Sequence, residues 1–328
     1  MYLTFYGLNE KPFTTAPDPR FLYLNAGYRE ALAHLVYGVQ ENTGFLVLTG
    51  EVGTGKTSLL RVLLNKVDAK TAVAFIANSG MSFDNILEYA LEQFGIPTAG
   101  ASRARRLVAL QRFLTECTRA GQTVVLIFDE AHLLAPATLE HIRLLANFES
   151  PSQKRLQILL VGQPELKTKL ALPELRQFQQ RITLWAVVPR LSRHETRQYI
   201  LQRLRVAGAC DFNIFTERAV SRIAAYAGGI PRIVNAVCEH CLLIGYQDQK
   251  RHLDVDVVQQ AVRYLEDGAA PTSARSRRRI AWAALTPVLL SLMASFIAVR
   301  REAVGSVSHF ITPFFATVAR SARELFGP

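Results

Sequence analysis

The chain has 328 residues, of which 49% are hydrophobic, and its formal net charge is +11. This length and apolar content exclude a disordered or low-complexity protein and predict a large packed domain with a smaller companion. The charge alone does not indicate nucleic-acid binding, because residues 275–328 contain eight Arg and two Glu, more than half of the excess. The amino terminus, MYLTFYGLNEKPF, lacks the basic and apolar segments of a cleavable signal peptide.

The first chemical motif is GEVGTGKT at residues 50–57, which follows an apolar run at 45–49 and precedes leucines at helical spacing. A chance Gly-rich turn is the alternative, but strand, loop and helix together match the P-loop pattern, in which backbone N–H groups surround phosphates. Lys56 would neutralise the β- and γ-phosphates, and the Thr57 hydroxyl would bind Mg²⁺. The predicted cofactors are ATP and Mg²⁺, with nucleotide contacts from Gly50, Glu51, Val52, Gly53, Thr54, Gly55, Lys56, Thr57 and Ser58.

Strand and helix patterns alternate through the first 190 residues. Apolar runs predict strands at 45–49, 72–78, 124–128, 157–162 and 182–188. Helices are predicted at 82–94 and 102–119, the second with Ser102 as its N-cap. This alternation is typical of a parallel sheet with helices on both faces, so residues 1–190 are predicted to form an α/β domain.

Two carboxylates, Asp129 and Glu130, end the third predicted strand in the run LIFDEAH. A carboxylate at this place can complete the Mg²⁺ shell, which is the role predicted for Asp129 beside Thr57. The next one, Glu130, can orient and deprotonate the water that attacks phosphorus. Such a pair can also be a charge pair at a helix amino terminus. The order of a P-loop and then a strand ending in Asp-Glu favours nucleotide hydrolysis.

Three further polar side chains are candidates for the same reaction. Gln163 follows the fourth strand and could reach between Lys56 and Glu130 to sense the γ-phosphate, or it could be a loop amide. Arg176 and Arg181 precede the fifth strand, where an arginine could enter the nucleotide site of a neighbouring subunit and stabilise transition-state charge. A solvated helix residue is the simpler interpretation of Arg176, and for Arg181 both interpretations stay open.

Beyond residue 190 the strand patterns stop, and residues 191–267 are predicted to form a small all-helical lid domain. Capping signals open helices at Ser192, Thr216, Pro231 and Asp254. In the run GGIPRIVN, Arg232 lies in the first turn of one of these helices. From there it could point across the cleft at the γ-phosphate and couple hydrolysis to domain closure.

The histidines and cysteines do not predict a metal centre. Cys238 and Cys241 form one C-x-x-C, but no second pair at a suitable spacing completes a tetrahedral zinc site, so we expect buried thiols on a helix. His132 and His141 are expected to be polar residues at the surface or behind the site rather than metal ligands.

The carboxyl-terminal segment has the pattern of a membrane anchor. Residues 268–279 read as a basic linker, and residues 280–299 contain no charged side chain. Twenty helical residues rise by about 30 Å, the thickness of the hydrocarbon layer. Arginines on both flanks would lie at the headgroups, so we predict one transmembrane helix at 280–299 in contact with lipid, followed by a short tail at 300–328. A buried core helix is the alternative.

Taken together, the motifs resemble the AAA+ ATPases, because GEVGTGKT, LIFDEAH, a strand-end Gln163, Arg181 and GGIPR occur in the order of that family. The runs PDPRFLYL and LLVGQPEL are similar to the general secretion pathway protein A branch, also called ExeA-type, and to its exosortase-associated relatives. The resemblance covers about residues 1–267. It implies a P-loop AAA+ sheet domain with a helical lid, followed by a membrane span. Gln163 departs from the Asn or Thr of many AAA+ proteins.

These features favour an ATPase of the bacterial inner membrane, with its ATPase domain in the cytoplasm and a single membrane span. It would hydrolyse ATP as a ring-shaped homo-oligomer, to drive or regulate the assembly of a secretion or envelope export machine. One alternative is a DNA-associated AAA+ regulator of the transposition-ATPase type, for which a membrane span has no evident use. Another is a nucleotide-gated binding module with little turnover, against which the Asp129-Glu130 pair argues. Nucleic acid is therefore not an expected partner.

Overall fold

A computed structural model of the protein describes residues 2–267 except residues 15, 17, 69, 78, 99 and 149–155. The helices and strands follow the chain as α1 (Tyr2–Tyr6), α2 (Ala26–Gln40), β1 (Phe45–Gly50), α3 (Lys56–Lys66), β2 (Ala72–Ile76), α4 (Phe83–Gln93), α5 (Arg103–Arg119), β3 (Val124–Phe128), α6 (Pro136–Leu145), β4 (Leu156–Gly162), α7 (Glu165–Leu170), α8 (Arg176–Gln179), β5 (Ile182–Val188), α9 (Arg193–Val206), α10 (Glu217–Ala227), α11 (Pro231–Gln247) and α12 (Val255–Asp267).

Five parallel strands form one sheet in the order β2-β3-β4-β1-β5. Thr49 of β1 is in register with Gly162 of β4, and Phe128 of β3 with Leu160 of β4. The carboxyl ends of these strands therefore meet at one edge of the sheet. This edge carries the loop after β1, the acidic pair after β3 and Gln163 after β4, as the predicted α/β architecture requires.

Side chains from alternate positions of the strands enter two separate cores, one on each face of the sheet. Leu46 and Leu48 pack with α2, α3 and the helices after residue 190. Phe45 and Val47 pack on the opposite face with α4 to α8. Burial on both faces explains why these strands read as continuous apolar runs. The helices α9 to α12 share the first of these cores with β1 and α3, which flank the loop after β1.

The predicted helix starts agree with the structure. Ser82, Ser102 and Thr216 accept a hydrogen bond from a backbone N–H in the first turn of their helices. Ser192 and Glu195 form a complete capping box, in which each side chain accepts from the other's backbone N–H. A helix begins at Pro231, where the missing proline N–H costs no helical hydrogen bond.

The remaining sequence predictions about this part of the chain have mixed outcomes. Cys238 and Cys241 are fully buried, and burial raises the pKa of both thiols, so they are core residues as expected. The second strand ends at Ile76, two residues earlier than predicted. The boundary between residues 190 and 191 stays a prediction.

The predicted linker at 268–279, the predicted span at 280–299 and the tail at 300–328 lie outside the described residues. Within residues 2–267, where described, no helix combines the length and apolar character needed to cross a membrane.

Candidate nucleotide site

The loop between β1 and α3 has the backbone geometry that phosphate binding needs. Gly53 and Gly55 have φ values of 81° and 95°, a left-handed region that residues with a Cβ atom rarely adopt. Lys56 begins α3, so the positive end of the helix dipole faces the loop. The Lys56 ammonium is buried and donates to the carbonyls of Gly50 at 2.8 Å and Glu51 at 3.0 Å. Burial lowers the pKa of this lysine, while nearby carboxylates act in the opposite direction.

An aspartate beneath the loop joins it to the end of β3. The Thr57 hydroxyl donates to Oδ2 of Asp129 at 3.2 Å, and the backbone N–H of Glu130 donates to Oδ1 at 2.9 Å. The buried hydroxyl of Ser79 donates to the carbonyl of Asp129 and holds this turn from the other side. Burial is the main cause that raises the pKa of Asp129. A hydroxyl and a carboxylate this close are the oxygen donors that Mg²⁺ prefers, so both residues fit the predicted metal role.

Glu130 extends from this turn into the cleft. Its φ of 52° is left-handed, which is uncommon for a non-glycine residue and is typical of functional turns. The side chain is 45% exposed, and it lines the same cleft as Lys56 and Thr57. A carboxylate in this position can accept a proton from a water molecule bound above the loop.

Gln163 lies behind Glu130, in contact with a histidine. Its Nε2 is 3.0 Å from Nε2 of His132, and Nδ1 of His132 is 3.4 Å from Oε2 of Glu130. His132 thus lies behind the site, as expected from the sequence. No group of three or more potential ligands that could hold a metal ion is found among the described His, Cys, Asp and Glu side chains.

The helical region meets the P-loop directly. The backbone N–H of Arg232 donates to the carbonyl of Gly53 at 3.2 Å, and the exposed Arg232 side chain lines the cleft. A Cβ atom on Gly53 would lie 2.7 Å from that of Arg232, so only glycine permits this approach. Arg190, which follows β5, pairs with the Glu51 carboxylate at 3.0 Å. The loop is therefore held by the helical region at Gly53 and by the residue that follows β5 at Glu51.

One wall of the cleft, which is not among the predicted site residues, comes from the segment before β1. The buried hydroxyl of Tyr28 in α2 donates to the carbonyl of Thr54 in the P-loop. Side chains of the preceding residues line the cleft beside the helical region: Thr14, Ala16, Asp18, Phe21, Leu22 and Tyr23. The run PDPRFLYL contains four of them, Asp18, Phe21, Leu22 and Tyr23, and is the sequence signal for this wall.

A buried arginine holds this segment in place. Arg203 of α9 donates to the carbonyls of Pro12 at 2.5 Å and Thr14 at 3.2 Å, and to the Tyr199 hydroxyl at 2.8 Å. Its guanidinium lies over the ring of Phe21, 4.8 Å from the centroid. One side chain therefore connects the helical region with the amino-terminal wall of the cleft.

We expect Arg203→Met to lower the free energy of unfolding by about 2 kcal/mol, because it leaves buried carbonyls without their charged donor. Urea denaturation followed by circular dichroism measures this loss. Arg205→Met, at an exposed position of the same helix, is the matched control and should change stability little. Equal midpoints for the two variants would contradict the anchoring role.

Neither of the two arginines before β5 lines the described cleft. Arg176 begins α8 and is exposed, which agrees with a solvated helix residue. Arg181 donates from Nη2 to Oδ1 of Asn147 at 2.7 Å. The next residue, Ile182, is in register with Phe45, at the amino end of β1, whereas the P-loop follows its carboxyl end. Arg181 therefore lies at the opposite edge of the sheet from the P-loop of its own chain.

Comparison with known proteins agrees with this architecture. Residues 39–170 match the family described as AAA domain. The chain is similar to general secretion pathway protein A of Aeromonas hydrophila, with 41% identity over 247 residues that cover 75% of this chain. It spans 45% of the length of that relative.

Two solved structures with a similar fold come from Aeropyrum pernix. One is the ORC2 protein in its ADPNP and ADP complexes, with a TM-score of 0.58, 19% identity and coverage of 77% of this chain and 71% of that one. The other is the ORC1 protein in complex with DNA, with a TM-score of 0.60, 16% identity and coverage of 78% and 70%. At these identities the likeness concerns the fold alone.

Proposed function

Because the chain belongs to the AAA+ ATPases of the general secretion pathway protein A type, we propose that it binds and hydrolyses ATP in the cleft above the P-loop. One observation carries the proposal: Lys56, Thr57 and Glu130 line a single cleft, and Asp129 accepts a hydrogen bond from Thr57 directly beneath it. These groups supply a phosphate cradle, a metal site and a base, which are the parts that phosphoryl transfer to water requires.

Each residue then has a defined task. Lys56 exchanges its contacts with loop carbonyls for the β- and γ-phosphates, and the backbone N–H groups of the loop bind the same oxygens. Thr57 and Asp129 would hold Mg²⁺, which neutralises phosphate charge when bound. The carboxylate of Glu130 orients the attacking water and takes its proton. Arg232, on the helical side of the cleft, adds positive charge near the terminal phosphate.

The first test is nucleotide binding by Lys56→Ala. We expect ATP to bind about 10- to 100-fold more weakly, because the variant loses a charged donor to two phosphates. Titration calorimetry measures the dissociation constant directly. Lys66→Ala, at the exposed carboxyl end of the same helix, is the control and should bind ATP as the wild type does. Equal affinities of all three proteins would show that ATP does not bind at this loop.

We further propose that the protein acts at the bacterial inner membrane, on a secretion or envelope assembly, as a homo-oligomeric ring. Support comes from the similarity to general secretion pathway protein A and from the uncharged sequence of residues 280–299. Alkaline phosphatase fused after Pro328 should be active if this segment crosses the membrane once. Release of the full chain from membranes by high salt alone would contradict a lipid anchor.

The DNA-associated alternative is considered because the fold is similar to that of the Aeropyrum pernix ORC1 protein, which was solved in complex with DNA. The arginines of α5 give it little support, because Arg103 pairs with Asp84 at 3.3 Å and Arg106 with Glu88 at 2.8 Å. DNA that stimulates phosphate release several-fold, with a salt dependence typical of phosphate contacts, would restore this alternative.

A further inference from the structure

One histidine touches two of the groups proposed for catalysis without reaching the cleft itself. His132 lies in the short 3₁₀ turn that follows Glu130, and its side chain is only 14% exposed. Its Nδ1 is 3.4 Å from Oε2 of Glu130, and its Nε2 is 3.0 Å from Nε2 of Gln163. The ring therefore bridges the acidic turn after β3 and the residue that follows β4.

The backbone around this ring is held on both sides. The Lys169 ammonium donates to the carbonyl of His132 and, at 2.8 Å, to that of Leu134. The end of β4 packs closely on the turn, since a Cβ atom on Gly162 would lie 3.2 Å from the backbone nitrogen of His132. The backbone of His132 is therefore held in place, so its ring can restrain the side chains of Glu130 and Gln163.

The hydrogen-bonding capacities of the three side chains define how they interact. With the Gln163 amide nitrogen as the donor to Nε2 of His132, the tautomer that fits this contact has its ring proton on Nδ1. Nδ1 of His132 and Oε2 of Glu130 lie 3.4 Å apart without forming a hydrogen bond. In the part of the chain that the structure describes, neither of these two buried atoms has a hydrogen-bond partner. A small rotation of the carboxylate would let the ring N–H donate to Oε2 and satisfy both atoms.

We propose that His132 is a positioning residue that links Gln163 to Glu130 and sets the orientation of the carboxylate that acts as the base. If the Gln163 amide rotates towards a bound phosphate, it loses its contact with Nε2 of His132. The ring is then free to shift, and the orientation of the Glu130 carboxylate changes with it. The inference rests on the proposed ATP hydrolysis and adds the route by which the strand-end glutamine controls the base.

Two substitutions separate the two contacts of the ring. Asn places an amide near the position of Nδ1, and Gln places one near the position of Nε2. We expect His132→Ala and His132→Gln to lower kcat about 10-fold, part of the contribution of a general base, with KM and ATP affinity unchanged. His132→Asn should retain more activity, because its amide lies near the position of Nδ1 and can donate to Glu130. His34→Ala, which removes an exposed histidine of α2, is the control.

A double-mutant cycle with Gln163→Ala tests the link itself. We expect the kcat of the double variant His132→Ala, Gln163→Ala to equal that of the less active single variant, because either change alone already breaks the same route. Losses that multiply, or a His132→Ala kcat within about twofold of the wild type, would overturn the inference. If His132→Ala does not fold, the same cycle run with His132→Gln, which is expected to lose a similar share of kcat, decides between these results.

The outcomes also distinguish the inference from its premise. Wild-type protein with no phosphate release would overturn the proposed function, and the inference with it. Phosphate release that depends on Lys56 but not on His132 would overturn the inference alone.

Discussion

Glu130→Gln should lower the rate of phosphate release by about 10²- to 10⁴-fold while ATP affinity stays close to that of the wild type. The amide is nearly isosteric with the carboxylate, but it cannot accept a proton from water. Asp129, Thr57 and Lys56 keep their contacts, because the bond from residue 130 to Asp129 uses the backbone N–H. Single-turnover phosphate release and equilibrium ATP binding, measured on the same preparation, separate the two effects.

Glu165→Gln is the matched control, because it removes an exposed carboxylate at the start of α7. It should release phosphate at the wild-type rate. If Glu130→Gln matches it, Glu130 is not the base, and the cleft would fit a nucleotide-gated binding module better than an ATPase. If Glu130→Gln loses ATP affinity as well as rate, the carboxylate contributes to binding.

Much of the geometry of the candidate site could be predicted from sequence because it depends on local structure. The P-loop needs a strand, a loop with glycines at left-handed positions and a helix, all within about 20 residues. The caps at Ser82, Ser102 and Ser192 are similarly local, because each side chain accepts a hydrogen bond from the backbone N–H three residues further along the chain. Asp129 and Glu130 follow an unbroken apolar run, which places them at a strand end.

The rest of the site depends on contacts between distant parts of the chain. Tyr28 donates a hydrogen bond to Thr54, and Arg203 donates hydrogen bonds to Pro12 and Thr14. No local sequence pattern marks any of these residues as a partner of the other. Their pairing follows from packing against the sheet. The contact of His132 with Gln163 has the same origin, because it requires β3 and β4 to be neighbours, and the chain order alone does not fix that.

Direct contacts join the P-loop to the residues around the start of α11. The carbonyl of Gly53 accepts from Arg232, and Gly229 lies so close to Leu191 that a Cβ atom would be 2.1 Å from its carbonyl oxygen. Arg190, next to Leu191 in the chain, pairs with Glu51 of the P-loop. If the proposed hydrolysis changes the conformation of the loop, this change would reach the first turn of α11 through the contact between Gly53 and Arg232.

Removal of Arg181 should abolish most hydrolysis without abolishing ATP binding. Arginines that stabilise transition-state charge from a neighbouring subunit contribute about 10³–10⁵ in rate. Arg181 is separated from its own P-loop by the length of β5, about 20 Å at the rise of a β-strand, so it can reach only the site of another copy. Activity per subunit should also rise with protein concentration. Arg176→Ala, at an exposed residue of the neighbouring helix, is the control and should stay active.

A mixture of two inactive variants tests action between subunits. In a mixed ring, an Arg181→Ala subunit keeps its own P-loop and Glu130, and it can receive an intact Arg181 from a Glu130→Gln neighbour. That pair reconstitutes one complete site, so the mixture should hydrolyse ATP faster than the sum of the two variants assayed alone. A mixture that never exceeds this sum, under conditions where light scattering shows mixed oligomers, would place the contribution of Arg181 within its own chain and remove the support for a shared site.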